Sequence, residues 1–201
     1  LAAGEPLMRR AAAALAAELR DPAPARVLVL VGAGDNGGDA LYAAAELASE
    51  GVRVDLLATA DRHHVDAAEA ALDAGATWGD PASVVDLAGA ADVVVDGILG
   101  TGTASSPALR GRARDLVAAI LPVLERPDRP RVVAVDLPSG IGPDDGSVPD
   151  PTVLPADLTV TFGAEKAGLL RDPGSRYAGR VVLVDLGLEP YLPPHPVVTA
   201  E

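Results

Sequence analysis

Gly32-Ala33-Gly34-Asp35-Asn36-Gly37-Gly38-Asp39 is the stretch on which the fold turns. It follows the near-continuous apolar run Val27-Leu28-Val29-Leu30-Val31 and leads into an alanine-rich stretch beginning near Ala40. A glycine-rich turn from strand to helix brings backbone N–H groups close to a ligand and aims a helix N-terminus at it. Gly32, Gly34 and Gly37 meet the G-x-G-x-x-G spacing. Yet two carboxylates and an amide crowd a turn where a simple dinucleotide site wants no negative charge. That conflict points to a cation, or to acid–base chemistry, beside phosphates.

Outward from this turn, apolar runs and helical periodicities alternate. Leu7, Met8, Ala11, Ala12, Leu15 and Leu19 repeat at helical spacing, which predicts a helix over 5–19. Further helices are expected at 38–49, 65–75 and 107–125, with a short helical turn at 82–88. Strands are expected at 26–31, 52–58, 92–96, 131–135, 158–162 and 181–184. Alternating strands and helices give a Rossmann-like three-layer α/β/α sandwich around a mainly parallel sheet. In such sheets the ligand lies beyond the carboxyl ends of the strands. The globular domain is expected over 1–188. The proline-rich stretch 189–201 reads as a tail or linker, because it suits neither a helix nor a central strand.

The 201 residues suffice for one domain with a real core, and 49% of them are hydrophobic. Cysteine is absent, which rules out disulfides and thiolate metal sites. No apolar stretch approaches the roughly 18 residues that a membrane span needs. No signal peptide is visible, and the cytoplasm is the expected location. The chain opens at Leu1 and not Met, so a trimmed N-terminus is expected. A net charge of −13 opposes generic phosphate binding, and 2% aromatic content leaves few platforms for stacked bases. No nucleic-acid partner is expected, and the composition leaves open only a local basic patch near Arg110, Arg112 and Arg114.

Three strand ends carry the polar motifs. The first ends in the glycine turn. The third ends in Asp96-Gly97-Ile98-Leu99-Gly100-Thr101-Gly102-Thr103, and the fourth in Asp136-Leu137-Pro138-Ser139-Gly140. A doubly wound sheet makes these loops neighbours and offers Asn36, Asp96 and Ser139 as oxygen donors beside Asp136. Oxygen donors with one carboxylate suit a hard cation of low charge density, not zinc. Gly100-Thr101-Gly102 is expected to open a helix and to hold a second phosphate. Structural readings stand beside these: Asp39 completes a helix N-terminus, Asp96 and Asp136 cap turns, and Ser139 is a turn residue. No Gly-Lys-Ser/Thr follows the glycines, so this is not a Walker P-loop. Asp55 has the count of a ribose-binding acid but falls in mid-strand. His63, His64 and His195 read as solvated. Lys166, the sole lysine, either touches a phosphate or lies on the surface.

Four motifs in order resemble the YjeF N-terminal family, which contains the NAD(P)H-hydrate epimerases. They are the glycine turn, the 96–102 loop, Val135-Asp136-Leu137-Pro138-Ser139-Gly140, and Ala156-Asp157-Leu158-Thr159-Val160-Thr161-Phe162-Gly163. The resemblance runs from Leu7 to about Gly187. It implies interconversion of the R and S epimers of hydrated NADH or NADPH (NADHX or NADPHX), a homodimer and a bound potassium ion. Carried over by motif, the potassium ligands are Asn36, Asp96 and Ser139. Substrate contacts are Asp35, Asn36, Gly37, Gly38 and Asp39; Gly100, Thr101, Gly102, Thr103, Ala104, Ser105 and Ser106; and Asp136. The family commonly has Asn where this chain has Asp35, which loses an amide donor and adds charge. A dehydratase domain follows this domain in many bacteria.

The implied chemistry is the departure of a hydroxyl from a ring carbon beside nitrogen and the return of water on the other face. Asp136 is expected to give and take the proton. Two rivals remain at this stage. An NAD-dependent dehydrogenase is disfavoured by the misplaced second-strand acid. A non-catalytic interaction module, as in mRNA-decapping scaffolds, is disfavoured by the intact set Asp96, Asp136 and Ser139.

Overall fold

A computed structural model describes residues 4–103 and 106–188. Ala104, Ser105 and the stretch 189–201 lie outside the described residues. Strands β1 (Arg26–Val31), β2 (Arg53–Ala58), β3 (Thr77–Trp78), β4 (Val93–Gly97), β5 (Arg131–Val135), β6 (Leu158–Phe162) and β7 (Arg180–Val184) form one sheet. Its order is β3-β2-β1-β4-β5-β6-β7, and every pairing is parallel. The expected three-layer α/β architecture is therefore observed.

Side-chain alternation on the strands assigns the two faces. Val27, Val29 and Val31 of β1 point with Val95, Val133 and Val160 toward α1 (Gly4–Leu19), α2 (Asp35–Ser49) and α3 (Val65–Asp73). Leu28 and Leu30 point with Val94, Val132 and Ala134 toward α4 (Val84–Ala90) and α5 (Gly111–Ile120). Central strands covered on both faces bury nearly every residue, which is why β1, β5 and the first three residues of β4 read as apolar runs without polar alternation. Full burial of one such leucine contributes about 1.5–3 kcal/mol. Among the described residues no helix is long and apolar enough to cross a membrane.

Strand order reverses between β1 and β4, whose neighbours on the outer sides are β2 and β5. This switch point opens a crevice at the carboxyl ends, and the glycine turn sits there. The turn is tight because backbone meets backbone. A Cβ on Gly32 would lie 1.8 Å from the carbonyl oxygen of Ile98, and one on Gly37 would lie 2.2 Å from that of Gly32.

Three features depart from the sequence reading. Helix α2 begins at Asp35, three residues before the expected start, so Asn36, Gly37, Gly38 and Asp39 occupy its first turns. Low glycine propensity argued for a later start, but the close contact of Gly37 with Gly32 holds those glycines in the helix. The 100–102 loop does not open a helix: a 3₁₀ turn occupies Thr101–Thr103, and α5 starts only at Gly111, behind Pro107 and an extended Arg110. The expected helix over 107–125 is α5 followed by a 3₁₀ segment, Leu121–Glu125, which carries Pro122 at its start. Strand β3 and the four-residue α6 (Ala167–Leu170) are too short to leave a periodicity in the sequence.

Candidate active site

The site is built from the tips of β1, β4, β5 and β6. Asp96 is the penultimate residue of β4, in register with Leu30 and Ala134, and is 0% exposed. Ser139 secures it twice: the hydroxyl donates to Asp96 Oδ1 at 2.6 Å and the backbone N–H to Oδ2 at 2.8 Å. The N–H of Ile98 adds a weaker bond to Oδ1 at 3.3 Å. Burial pushes the Asp96 carboxyl up, and the bonds from Ser139 and Ile98 oppose that rise.

Asn36 reaches the same point from α2. Its Nδ2 donates to the carbonyls of Leu99, at 2.9 Å, and Val135, at 2.6 Å. The Leu99 peptide is shared, because its N–H donates to Ser139 Oγ at 2.9 Å. Asn36, Asp96 and Ser139, 103 residues apart in sequence at the extremes, thus converge on one buried patch. Among the described residues no cationic side chain pairs with Asp96, and a buried carboxylate is costly without a counter-charge. One carboxylate beside neutral oxygens is the donor set of a hard, weakly charged cation. The residues present therefore fit a potassium ion.

Asp136 follows β5. Its φ of 69° makes it the only non-glycine residue with positive φ among the described residues. The N–H of Leu137 donates to the Val135 carbonyl at 2.9 Å across it, closing a γ-turn of the strained kind. Such strain persists only where the surroundings over-determine it, and it concentrates at functional sites. Here β6 supplies the restraint. Asp136 N–H donates to the Val160 carbonyl at 2.8 Å, and the side-chain Oδ1 accepts from Thr161 Oγ1 and from Phe162 N–H, each at 3.2 Å. Lys166 Nζ also donates to Oδ1. The surface and phosphate readings of Lys166 both give way to this buried pairing. The cue in the sequence was that the chain spends its single lysine five residues after Thr161.

Asp39, one helical turn from Asn36, is buried at 7% exposure. Burial, then the charges of Asp136 and Asp35, push its carboxyl up to about 7. The rim therefore holds two carboxyl groups of unlike character, Asp39 inclined to keep its proton and Asp136 in an ion pair. Gly34 caps α2 without a side-chain bond, so the first N–H groups of the helix are left for a ligand. Gly37 and Gly38 are buried in that turn, and Asp35 is exposed beside it. Gly100 borders the shared Leu99 peptide, Thr101 and Gly102 are exposed, and Thr103 ends the 3₁₀ turn. Beyond the glycine turn lies a cavity of about 290 Å³ between Ala33, Thr59, Leu99 and Leu109, with Ser106 and Arg110 at its edge.

Other candidates are structural. Asp55 is 4% exposed and meets Arg26 Nε at 2.8 Å, so it holds strands together and is not free for a ribose. His64, half-buried and not simply solvated, caps α3 by accepting from the N–H of Ala67 at 3.2 Å, and His63 lies against Trp78. Arg112 pairs with Asp61 at 2.9 Å and Arg114 with Asp150 at 3.1 Å, so two of the three arginines that left room for a basic patch face carboxylates. His195 lies outside the described residues.

Fold and site together define a Rossmann-like α/β protein with a glycine-rich turn beside a buried oxygen cluster and two carboxyl groups, Asp39 and Asp136. The family model described as YjeF-related protein N-terminus matches residues 4–168, and the chain belongs to that family. It is 58% identical over 195 residues to the NAD(P)H-hydrate epimerase of Clavibacter michiganensis subsp. michiganensis (strain NCPPB 382), covering 94% of this chain and 85% of that protein. It is 41% identical over 193 residues to the bifunctional NAD(P)H-hydrate repair enzyme Nnr of Mycobacterium tuberculosis (strain ATCC 25618 / H37Rv), covering 91% of this chain but 37% of that protein. The crystal structure of yeast YNL200c superposes with a TM-score of 0.73 over 90% of this chain and 78% of that one. At 19% identity, that likeness speaks for the fold.

Proposed function

We propose that this chain is an NAD(P)H-hydrate epimerase, an isomerase that interconverts the R and S forms of hydrated NADH and NADPH. The observation that carries the reading is the meeting of the strained Asp136 with the buried Asn36–Asp96–Ser139 patch at the rim of a nucleotide-type turn. The family and the 58% identical epimerase support it.

In this reading the first N–H groups of α2, with the 100–106 loop beside them, receive the phosphates of the dinucleotide. The neighbouring cavity gives space to the part of the substrate remote from the reacting ring. Asn36, Asp96 and Ser139 would hold a potassium ion, which would supply a counter-charge to Asp96 and to the phosphates. The reacting carbon bears a hydroxyl beside the ring nitrogen. The nitrogen lone pair forms a C=N bond as the C–O bond breaks, and Asp39, which keeps its proton up to about pH 7, gives that proton to the leaving oxygen. A water adds on the opposite face, its oxygen forming the new C–O bond while the ring nitrogen recovers its pair. Asp136 takes the proton that this water loses. The reverse reaction runs the two carboxyl groups in exchanged roles, so each epimer returns the site to the state the other requires. General acid–base help of this kind is worth about 10²–10⁴ in rate. A homodimer belongs to the same reading.

The test is chromatographic separation of the two hydrate epimers, followed over time with and without protein, with spontaneous epimerisation subtracted. Protein-dependent equilibration is the expected result. Equal rates with and without protein overturn the reading, and hydride transfer in an absorbance assay would replace it with a dehydrogenase.

A further inference from the structure

We propose that Lys166 is a positioning residue of this site, holding the Asp136 carboxylate by Oδ1 against β6 and leaving Oδ2 as the oxygen that handles the proton. The inference rests on the epimerase reading for the identity of the reaction, but the pairing itself stands on geometry.

Every hydrogen bond to the Asp136 carboxylate ends on Oδ1: those from Lys166 Nζ, Thr161 Oγ1 and Phe162 N–H. Among the described residues none reaches Oδ2. The ammonium is equally committed. Besides Asp136 it donates to Thr161 Oγ1 at 3.1 Å and to the Phe162 carbonyl at 2.8 Å, so its three N–H groups have three acceptors. Thr161 closes the triangle, accepting from Lys166 and donating to Asp136. The two charged side chains are 16% and 10% exposed. A pair this dry is rigid, because loss of either member leaves a buried charge unpaired.

Lysine suits this place for a reason of shape. A compact ammonium directs three donors at three acceptors gathered at the adjoining ends of β5 and β6, whereas the planar guanidinium fork of arginine spreads its donors in one plane. The chain otherwise uses arginine for every side-chain ion pair among the described residues. The charged groups facing Asp136 are Lys166, which precedes α6, and Asp39 from α2. Their signs oppose each other: Asp39 in its charged form repels the carboxylate, and Lys166 secures it.

The absence of cysteine gives a direct test. Lys166→Cys introduces a single thiol, which 2-bromoethylamine converts to an aminoethyl side chain of lysine length and 2-bromoethanol to a neutral analogue. We expect Lys166→Cys to lower kcat for epimerisation by roughly 10²-fold, with little change in KM. Aminoethylation should restore most of that loss and hydroxyethylation should not. Near-wild-type kcat in the unmodified variant overturns the proposal, since neither the charge nor the length of Lys166 then matters, and so does equal restoration by the neutral arm, which means that volume and not charge matters. A second reading is independent of the reaction. At one fixed pH, the ¹³C shift of the Asp136 carboxyl should move in Lys166→Cys and return on aminoethylation but not on hydroxyethylation. An unchanged shift overturns the pairing. A wild-type protein that is inactive on the hydrate overturns the epimerase reading, while this shift still decides the role of Lys166.

Discussion

Ser139 donates both its hydroxyl and its backbone N–H to the two oxygens of Asp96, at 2.6 and 2.8 Å, and so ties the loop after β5 to the tip of β4. Two neutral donors orient the carboxylate but leave its charge without a cationic side-chain partner among the described residues. In the proposed reading a potassium ion would supply that counter-charge.

Potassium should therefore stabilise the fold. Replacing tetramethylammonium chloride with potassium chloride at equal ionic strength is expected to raise the wild-type melting temperature, because a ligand that binds only the native state adds RT ln(1 + [L]/Kd) to stability. Asp96→Asn should abolish the difference between the two salts. An equal response in wild type and variant would assign the effect to general salt.

Asp39 gives the protein a pH signature. Its carboxyl releases a proton near 3.8 when unfolded and near 7 when folded. Between those values the native state holds the extra proton, so stability falls as pH rises. Below about pH 4 both states are protonated and the penalty vanishes; above 7 it is complete, at most on the order of 4 kcal/mol. Asp39→Asn should then gain stability relative to wild type between pH 5 and pH 8, read by chemical denaturation at each pH. A constant difference would contradict the placement of this carboxyl.

The same ionisation acts on the substrate. Above pH 7 a charged Asp39 at the proposed binding rim would repel an anionic dinucleotide, so wild-type KM should rise through neutrality. In Asp39→Asn the KM profile should be flat over that range, with kcat reduced because the proton donor is gone. A wild-type KM that is independent of pH would argue against Asp39 lying at the binding rim.

Gly37 should not tolerate a side chain. A Cβ there meets the backbone of Gly32 at 2.2 Å, and neither the strand end nor the helix start can move without displacing Asn36. Gly37→Ala is expected to cost about 3 kcal/mol or more by denaturant unfolding. Gly34→Ala, with nothing within 4 Å of the added atom, is the matched control.

How far the sequence carries the account depends on the kind of signal. Strands buried on both faces write themselves as apolar runs, so β1 and β5 are legible to the residue, and β6 is legible from the β-branched alternation Leu158-Thr159-Val160-Thr161-Phe162. A two-residue strand such as β3 writes nothing, and the entry into α2 was obscured because glycine propensity and tertiary contact pull in opposite directions there. The convergence of Asn36, Asp96 and Ser139 followed from placing three motifs at the ends of parallel strands. The Lys166–Asp136 pair did not, since it depends on the register of β6 with β5 and on the path of the chain toward α6. Neither the strain at Asp136 nor the raised Asp39 carboxyl has a sequence pattern, because both arise from what surrounds them in three dimensions.

The central claim is that Asp136 moves the proton in an inversion that exchanges the hydroxyl with water. A single epimer of the hydrate, incubated in ¹⁸O-labelled water with wild type or Asp136→Asn, tests it directly. The account predicts that wild type inverts the carbon and introduces one labelled oxygen in step, and that Asp136→Asn, still folded, loses both by roughly 10²-fold or more. Inversion at the wild-type rate by Asp136→Asn would contradict it.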